Sequence, residues 1–274
     1  MTEETTTTEE VKPFAAIVPN LTDEEYFARP ETSRSDLVNF ATGSKPTGKH
    51  LTTGDLCHLL CLQDPSVLKD RYCTLKKPAP IDDTWDYDLR TKAGQMAKEE
   101  CEKANPGKIV VKYGDKMAAA AMAANLKAHP AIGPLLWGRE NSDKSTLEAS
   151  IVGKTEWSIK ADPECSIKTK VDIITDKSVI DIKTTYTRTP EEFDSSFFKF
   201  RYHVQAAFLL DLADLASPQD APRKVVYVGV HNKPPHNVFI YKVHPWMIEA
   251  GRIWAKDVLR IKNKQSFAEE GEIQ

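Results

Sequence analysis

Two short segments near the middle of the chain, residues 166–174 and 179–185, constrain its fold most, because apolar and polar side chains alternate along both. Val171 and Ile173 mark the apolar face of the first, and Ile180 and Ile182 that of the second. Such alternation is the pattern of half-buried strands. Asp176-Lys177 lies between them and reads as the turn of a β-hairpin. With that turn, Asp172 falls opposite Asp181, and cross-strand partners sit roughly 4.5–5.5 Å apart at Cβ. Lys183 shares their face because strand side chains repeat every two residues. Two facing carboxylates repel, which costs stability unless something positive lies between them. A divalent metal meets that need. Mg²⁺ takes one or two carboxylates and completes its shell with water and phosphate oxygens. The chemistry suited to this trio is phosphodiester hydrolysis, with a metal to activate water and Lys183 to orient it or to stabilise developing charge. A plain hairpin face carrying Asp, Asp and Lys is the alternative, and the trio alone does not separate the two.

Residues elsewhere extend the pattern. In chain order they are Gly54-x-x-x-His58, Glu148, Asp172, Asp181-x-Lys183 and Tyr202-His203-Val204-Gln205. The segment Ser33-Arg34-Ser35-Asp36-Leu37 precedes them, and Thr53-Gly54-Asp55-Leu56-Cys57-His58 contains the first. Together these motifs resemble the PD-(D/E)XK nuclease superfamily, and within it the RecE-type exonuclease domain (exodeoxyribonuclease VIII-like). The resemblance runs over about residues 23–215. Its strongest parts are Ile180-Asp181-Ile182-Lys183-Thr184-Thr185 and Arg201-Tyr202-His203-Val204-Gln205-Ala206-Ala207-Phe208. Related nucleases often carry Tyr four residues after the Gln, where this chain has Leu209.

The resemblance implies an α/β, restriction-endonuclease-like core, with a mixed central sheet flanked by helices and further helices at the N-terminal end. It implies that His58, Asp172 and Asp181 are metal ligands, that Lys183 is the catalytic lysine and that Glu148 is the first acidic motif. Gln205 and Tyr202 would contact the scissile phosphate or support Lys183. The implied activity is a Mg²⁺-dependent DNA exonuclease, with Mn²⁺ able to substitute. It would act on duplex DNA ends 5′ to 3′ and leave a 3′ single strand for an annealing partner in phage recombination. Such proteins often form homo-oligomeric rings. The alternatives are an endonuclease with the same site and a catalytically silent DNA-binding module. A small-phosphoester hydrolase is a third, but no glycine-rich anion loop accompanies the carboxylates. Taken singly, His58 among leucines, His203, Glu148 and Gln205 would each read as structural residues.

The remaining sequence fits a nuclease domain. Residues 1–20, acidic and Thr-rich at their start, read as a disordered tail, residues 21–265 as one domain and 266–274 as a second tail. No apolar run reaches the roughly 18–20 residues of a membrane span, and the acidic start is unlike a targeting peptide, so a cytoplasmic protein without membrane partners is expected. The five cysteines are odd in number, show no CxxC spacing and end at Cys165. Neither a disulfide framework nor an iron–sulfur cluster is expected. No GxxxxGK[ST] loop suggests a coupled ATPase. Net charge is −3, but residues 1–10 carry four Glu and no Lys or Arg, so residues 11–274 carry +1. Lys154, Lys160, Lys168, Lys170, Lys199 and Arg201 are candidates for a local positive channel.

Helices are expected over 88–104, 115–129 and 246–262, and one long helix from Pro190 to about 216. Strands are expected over 146–152, 155–159, 167–174, 179–185, 225–231 and 238–243, and a loop over 76–85 that borders the site.

Overall fold

The alternating segments become adjacent strands near the centre of a mixed sheet. The protein is described by a computed structural model covering residues 11–19, 21–43, 53–81, 84–136 and 145–271. Along the chain, β1 (Phe14–Val18) is followed by α1 (Asp23–Ala28), the two-residue β2 (Thr32–Ser33) and α2 (Arg34–Thr42). Next come α3 (Thr53–Leu62), α4 (Pro65–Arg71), β3 (Tyr72–Leu75), α5 (Lys92–Ala104), β4 (Ile109–Lys112), α6 (Tyr113–Ala128) and α7 (Gly133–Leu136). The second half runs β5 (Thr146–Lys154), α8 (Glu156–Ala161), β6 (Ile167–Ile174), β7 (Ser178–Thr185) and α9 (Pro190–Lys199). It ends with α10 (Tyr202–Ala216), β8 (Lys224–His231), β9 (Val238–Lys242) and α11 (Pro245–Gly271).

Among the described residues, seven strands form one sheet in the order β1-β5-β6-β7-β8-β9, with β2 also pairing β6. The parallel pair β3–β4 forms a separate small sheet. Helices cover both faces of the main sheet, which suits strands buried on both sides. One core contains Phe193, Phe197, Phe208 and Tyr227, and the other Leu56, Met122, Leu126 and Ile182. The pairing of β6 is divided along its length. It meets β7 only at Ile173↔Ile180 and Ile174↔Val179, and β2 only at Thr32↔Ile167 and Ser33↔Lys168. The edge of β6 between those contacts is open.

Three expectations are corrected. Residues 155–159 are not a strand. Thr155 accepts from the Ser158 N–H in a reciprocal capping box, and the short α8 that follows buries Trp157 against Phe208, with ring centroids 5.1 Å apart. The single helix expected after Pro190 is two, because Arg201 adopts a left-handed conformation (φ 57°) between α9 and α10. The two tails are also shorter than their sequence suggests. Residues 14–18 pair with β5 as an edge strand, and α11 continues through residue 271. The acidic residues 1–10 and residues 272–274 lie outside the described residues.

Gly251 of α11 lets that helix lie directly on α10. A Cβ there would stand 2.1 Å from the backbone oxygen of His203. Gly251→Ala is therefore expected to lower stability by about 1–3 kcal/mol, read as a lower urea midpoint with unchanged slope. An unchanged midpoint would refute this account of the helix contact.

Candidate active site

The site is built where β6 separates from β7. The hairpin register has the turn anticipated from sequence, so Asp172 lies opposite Asp181 next to the last paired residues, Ile173 and Ile180. The ladder does not continue past that point. Instead the Ile182 N–H donates to Asp172 Oδ2 at 2.7 Å. On the other side of β6, Leu147↔Ile173 and Ala149↔Val171 bracket Glu148, which is therefore opposite Asp172. Glu148 has φ 51°, a conformation that non-glycine residues adopt at a cost of about 1–3 kcal/mol. Three acidic residues thus stand in a row across three adjacent strands.

The irregularity at this row reverses which face the side chains take. Val171 and Ala149 pack in the core beneath α10, whereas Ile173 packs in the core beneath α3. The expectation that Val171 and Ile173 share one face is therefore corrected. Because the sheet is open here, side chains reach the row from both helical layers. His58 comes from α3, its Nδ1 3.6 Å from Asp172 Oδ1. Gln205 comes from α10 and donates to Asp181 Oδ1 at 2.8 Å. Lys183 Nζ lies 2.5 Å from Asp181 Oδ2, a buried atom whose partner is this ammonium. Tyr202 and Tyr227 form a wall beside the ammonium, their ring centroids 5.4 and 5.8 Å from Lys183 Nζ. The Glu148 carboxylate turns away towards Gln63 Nε2 (2.9 Å) and Lys170 Nζ (3.2 Å).

All seven residues singled out from sequence therefore gather here: His58, Glu148, Asp172, Asp181, Lys183, Tyr202 and Gln205. Four neighbours were not singled out for the site. Tyr227 is the parallel register partner of Asp181 on β8, so the alternation of that strand carried the signal. Gln63 follows His58 at the end of α3, and Lys170 precedes Asp172 by two on β6. Arg34, within the serine-capped opening motif, lies over Tyr202 with its guanidinium carbon 5.9 Å from the ring centroid. His203 is buried against Phe198, and Leu209 is buried in the core. Lys168 is buried and donates to the backbone oxygens of Tyr26 and Arg29, so it does not line a channel.

The row is not a solvated face, since the Asp181 side chain is 3% exposed and that of Asp172 14%. Electrostatics follows from that burial. Burial raises the Asp181 carboxyl above its ordinary range, Lys183 opposes this and the Asp172 charge adds to it. Asp172 is lowered despite burial, because His58, Lys183 and the Ile182 N–H all favour its charged form. Burial disfavours charged His58, yet Asp172 outweighs it and lifts the imidazole to about 9. Among the described residues, no three His, Cys, Asp or Glu side chains converge on a common point. The carboxylates are instead held by neighbouring cations.

A model of the family described as "PDDEXK-like domain of unknown function (DUF3799)" matches residues 37–270. The chain belongs to this family. Its fold is also that of a crystal structure named "putative exonuclease" from Eubacterium rectale, with a TM-score of 0.51 and 12% identity. That alignment covers 89% of this chain and 87% of the other. No curated protein matches the chain. The PD-(D/E)XK assignment and the mixed, helix-flanked sheet anticipated from sequence therefore stand.

Two stability outcomes follow. Asp172→Ala leaves the Ile182 N–H without its acceptor and is expected to cost about 1–3 kcal/mol, whereas Asp172→Asn, which keeps an acceptor oxygen, costs less. Denaturant unfolding of both variants checks the order. In EDTA, His58 binds its proton more tightly folded than at its unperturbed value of 6.5. Its contribution is complete below pH 6.5 and is lost as pH rises through about 9. Stability should decline over that window, and His58→Gln should flatten the decline. An identical pH profile in His58→Gln would contradict the ion pair.

Proposed function

We propose that the protein is a metal-dependent DNA exonuclease acting at duplex ends. The observation that carries this reading is the row Glu148–Asp172–Asp181 with Lys183 beside it, set in an opening of the sheet. The donor chemistry fits a hard divalent cation. Asp172 and Asp181 offer carboxylate oxygens, His58 an imidazole, and Asp181 Oδ2 is a buried acceptor held only by the Lys183 ammonium. In this reading His58, Asp172 and Asp181 hold Mg²⁺, or Mn²⁺ in its place. When bound, such an ion acidifies water and neutralises charge on phosphate.

The chain's own residues supply the rest. Lys183, held near the row by Asp181, orients the attacking water or stabilises negative charge on the scissile phosphate. Gln205 fixes one oxygen of Asp181 and the Lys183 ammonium holds the other. Glu148 acts from the edge of the row, through Lys170 and Gln63, on water rather than on the phosphate. Tyr202 and Tyr227 exclude water from one side of Lys183 and limit its rotamers.

Preference for ends rests on the RecE-like motifs and on the name carried by the Eubacterium rectale neighbour. The motifs also support 5′-to-3′ digestion that leaves a 3′ strand for an annealing protein, and assembly into a ring around DNA. An endonuclease using the same residues is the rival reading.

Digestion of end-labelled linear duplex, beside a covalently closed circle, tests this directly. Loss of nucleotides from linear DNA is expected in Mg²⁺ and not in EDTA, with circles intact. Lys183→Ala should lower the rate by roughly 10²–10³-fold while the protein stays folded. Cutting of circles would move the protein to the endonucleases. No cleavage in either Mg²⁺ or Mn²⁺ would sink the nuclease reading.

A further inference from the structure

Beside the acidic row is a cleft of about 340 Å³ lined by Arg34, Val38, Lys199, Phe200, Arg201 and Tyr202. It shares Tyr202 with the site described above. Three of its lining residues are cations, and among the described residues no carboxylate lines it. Arg34 donates to the backbone oxygen of Phe200. The Nε–H of Arg34 is buried and finds no acceptor among the described residues. A buried donor left unpaired is costly and points to a missing acceptor.

Phe200 is the second unusual feature. It lies at the break between α9 and α10 and is 49% exposed, whereas Phe193 and Phe197 of the same segment are buried. Its ring is 5.5 Å from Lys199 Nζ and 5.7 Å from the Tyr202 ring centroid. The left-handed Arg201 keeps this stretch out of the helix and out of the core. An exposed ring flanked by cations is the combination that binds single-stranded nucleic acid, because bases stack on the ring and phosphates pair with the cations.

We propose that this cleft is a subsite for one unpaired nucleotide next to the phosphate being cut, with its base stacked on Phe200 and its phosphate held by Arg34 and Lys199. The proposal rests on the nuclease reading and adds a requirement to it. A base inside a duplex is covered on both faces, so the strand must enter frayed from its complement. Phe200 then selects an unpaired base without reading its identity, since every base has a π-face.

Fluorescence anisotropy in EDTA tests the subsite without any strand being cut. The probes are a fluorescein-labelled oligothymidylate and a dumbbell duplex with no free end, against wild type, Phe200→Ala and Phe200→Trp. Phe200→Ala is expected to bind oligothymidylate roughly 5- to 100-fold more weakly, with Phe200→Trp near wild type and dumbbell binding equal in all three. An unchanged melting midpoint separates this from misfolding, as half-exposed Phe200 supports little of the core. Absence of oligothymidylate binding by wild type would overturn the proposal. So would equal affinity in Phe200→Ala, or an equal loss on the dumbbell. Phe200-dependent binding by a protein that cuts no DNA would leave the subsite standing and remove the nuclease reading. Cleavage with Phe200-independent binding would do the reverse.

Discussion

Everything at the site depends on β6 and β7 pairing for two residues and then parting. Had the ladder continued, Asp172 and Asp181 would be neighbours on a closed sheet, and only one helical layer could reach them. With the strands apart, the Asp172 carboxylate replaces a missing backbone acceptor for Ile182, and β2 takes up the far end of the same edge. The opening is thereby satisfied at both ends, as buried backbone polar groups must be. His58 and Gln205, on opposite faces of the sheet, can then act on the same carboxylate pair.

Burial makes that pair demanding. Two carboxylates removed from water need compensation close by. Here His58 supplies it for Asp172 and Lys183 for Asp181. Asp181 remains strained, with one oxygen satisfied by Gln205 and the other held only by the ammonium. Such opposed shifts in adjacent buried groups make this a candidate functional site.

The hairpin, its register and the gathering of seven side chains were legible because they rest on period-two alternation and on motif order. The departures have local causes that periodicity does not carry. Residues 155–159 alternate like a strand, but the Thr155–Ser158 capping box starts a helix and Trp157 anchors it. The break at Arg201 has no Gly or Pro to announce it, so one helix was the natural reading. The opposite facing of Val171 and Ile173 coincides with the left-handed Glu148 of the neighbouring strand, and periodicity within β6 does not announce it. Gln63 reaches the site through tertiary packing, and a local pattern does not encode that.

The full-length partner of β7 is β8, paired in parallel over all eight residues from Ser178↔Lys224 to Thr185↔His231. Parallel neighbours need a crossover, here α9 and α10, and such non-local pairing forms late. During synthesis, Asp181 and Lys183 therefore leave the ribosome well before the strand that fixes them. The geometry of the acidic row is completed only when residues 224–231 have emerged and docked. A partly made chain carries the acidic residues but not the frame that aligns them.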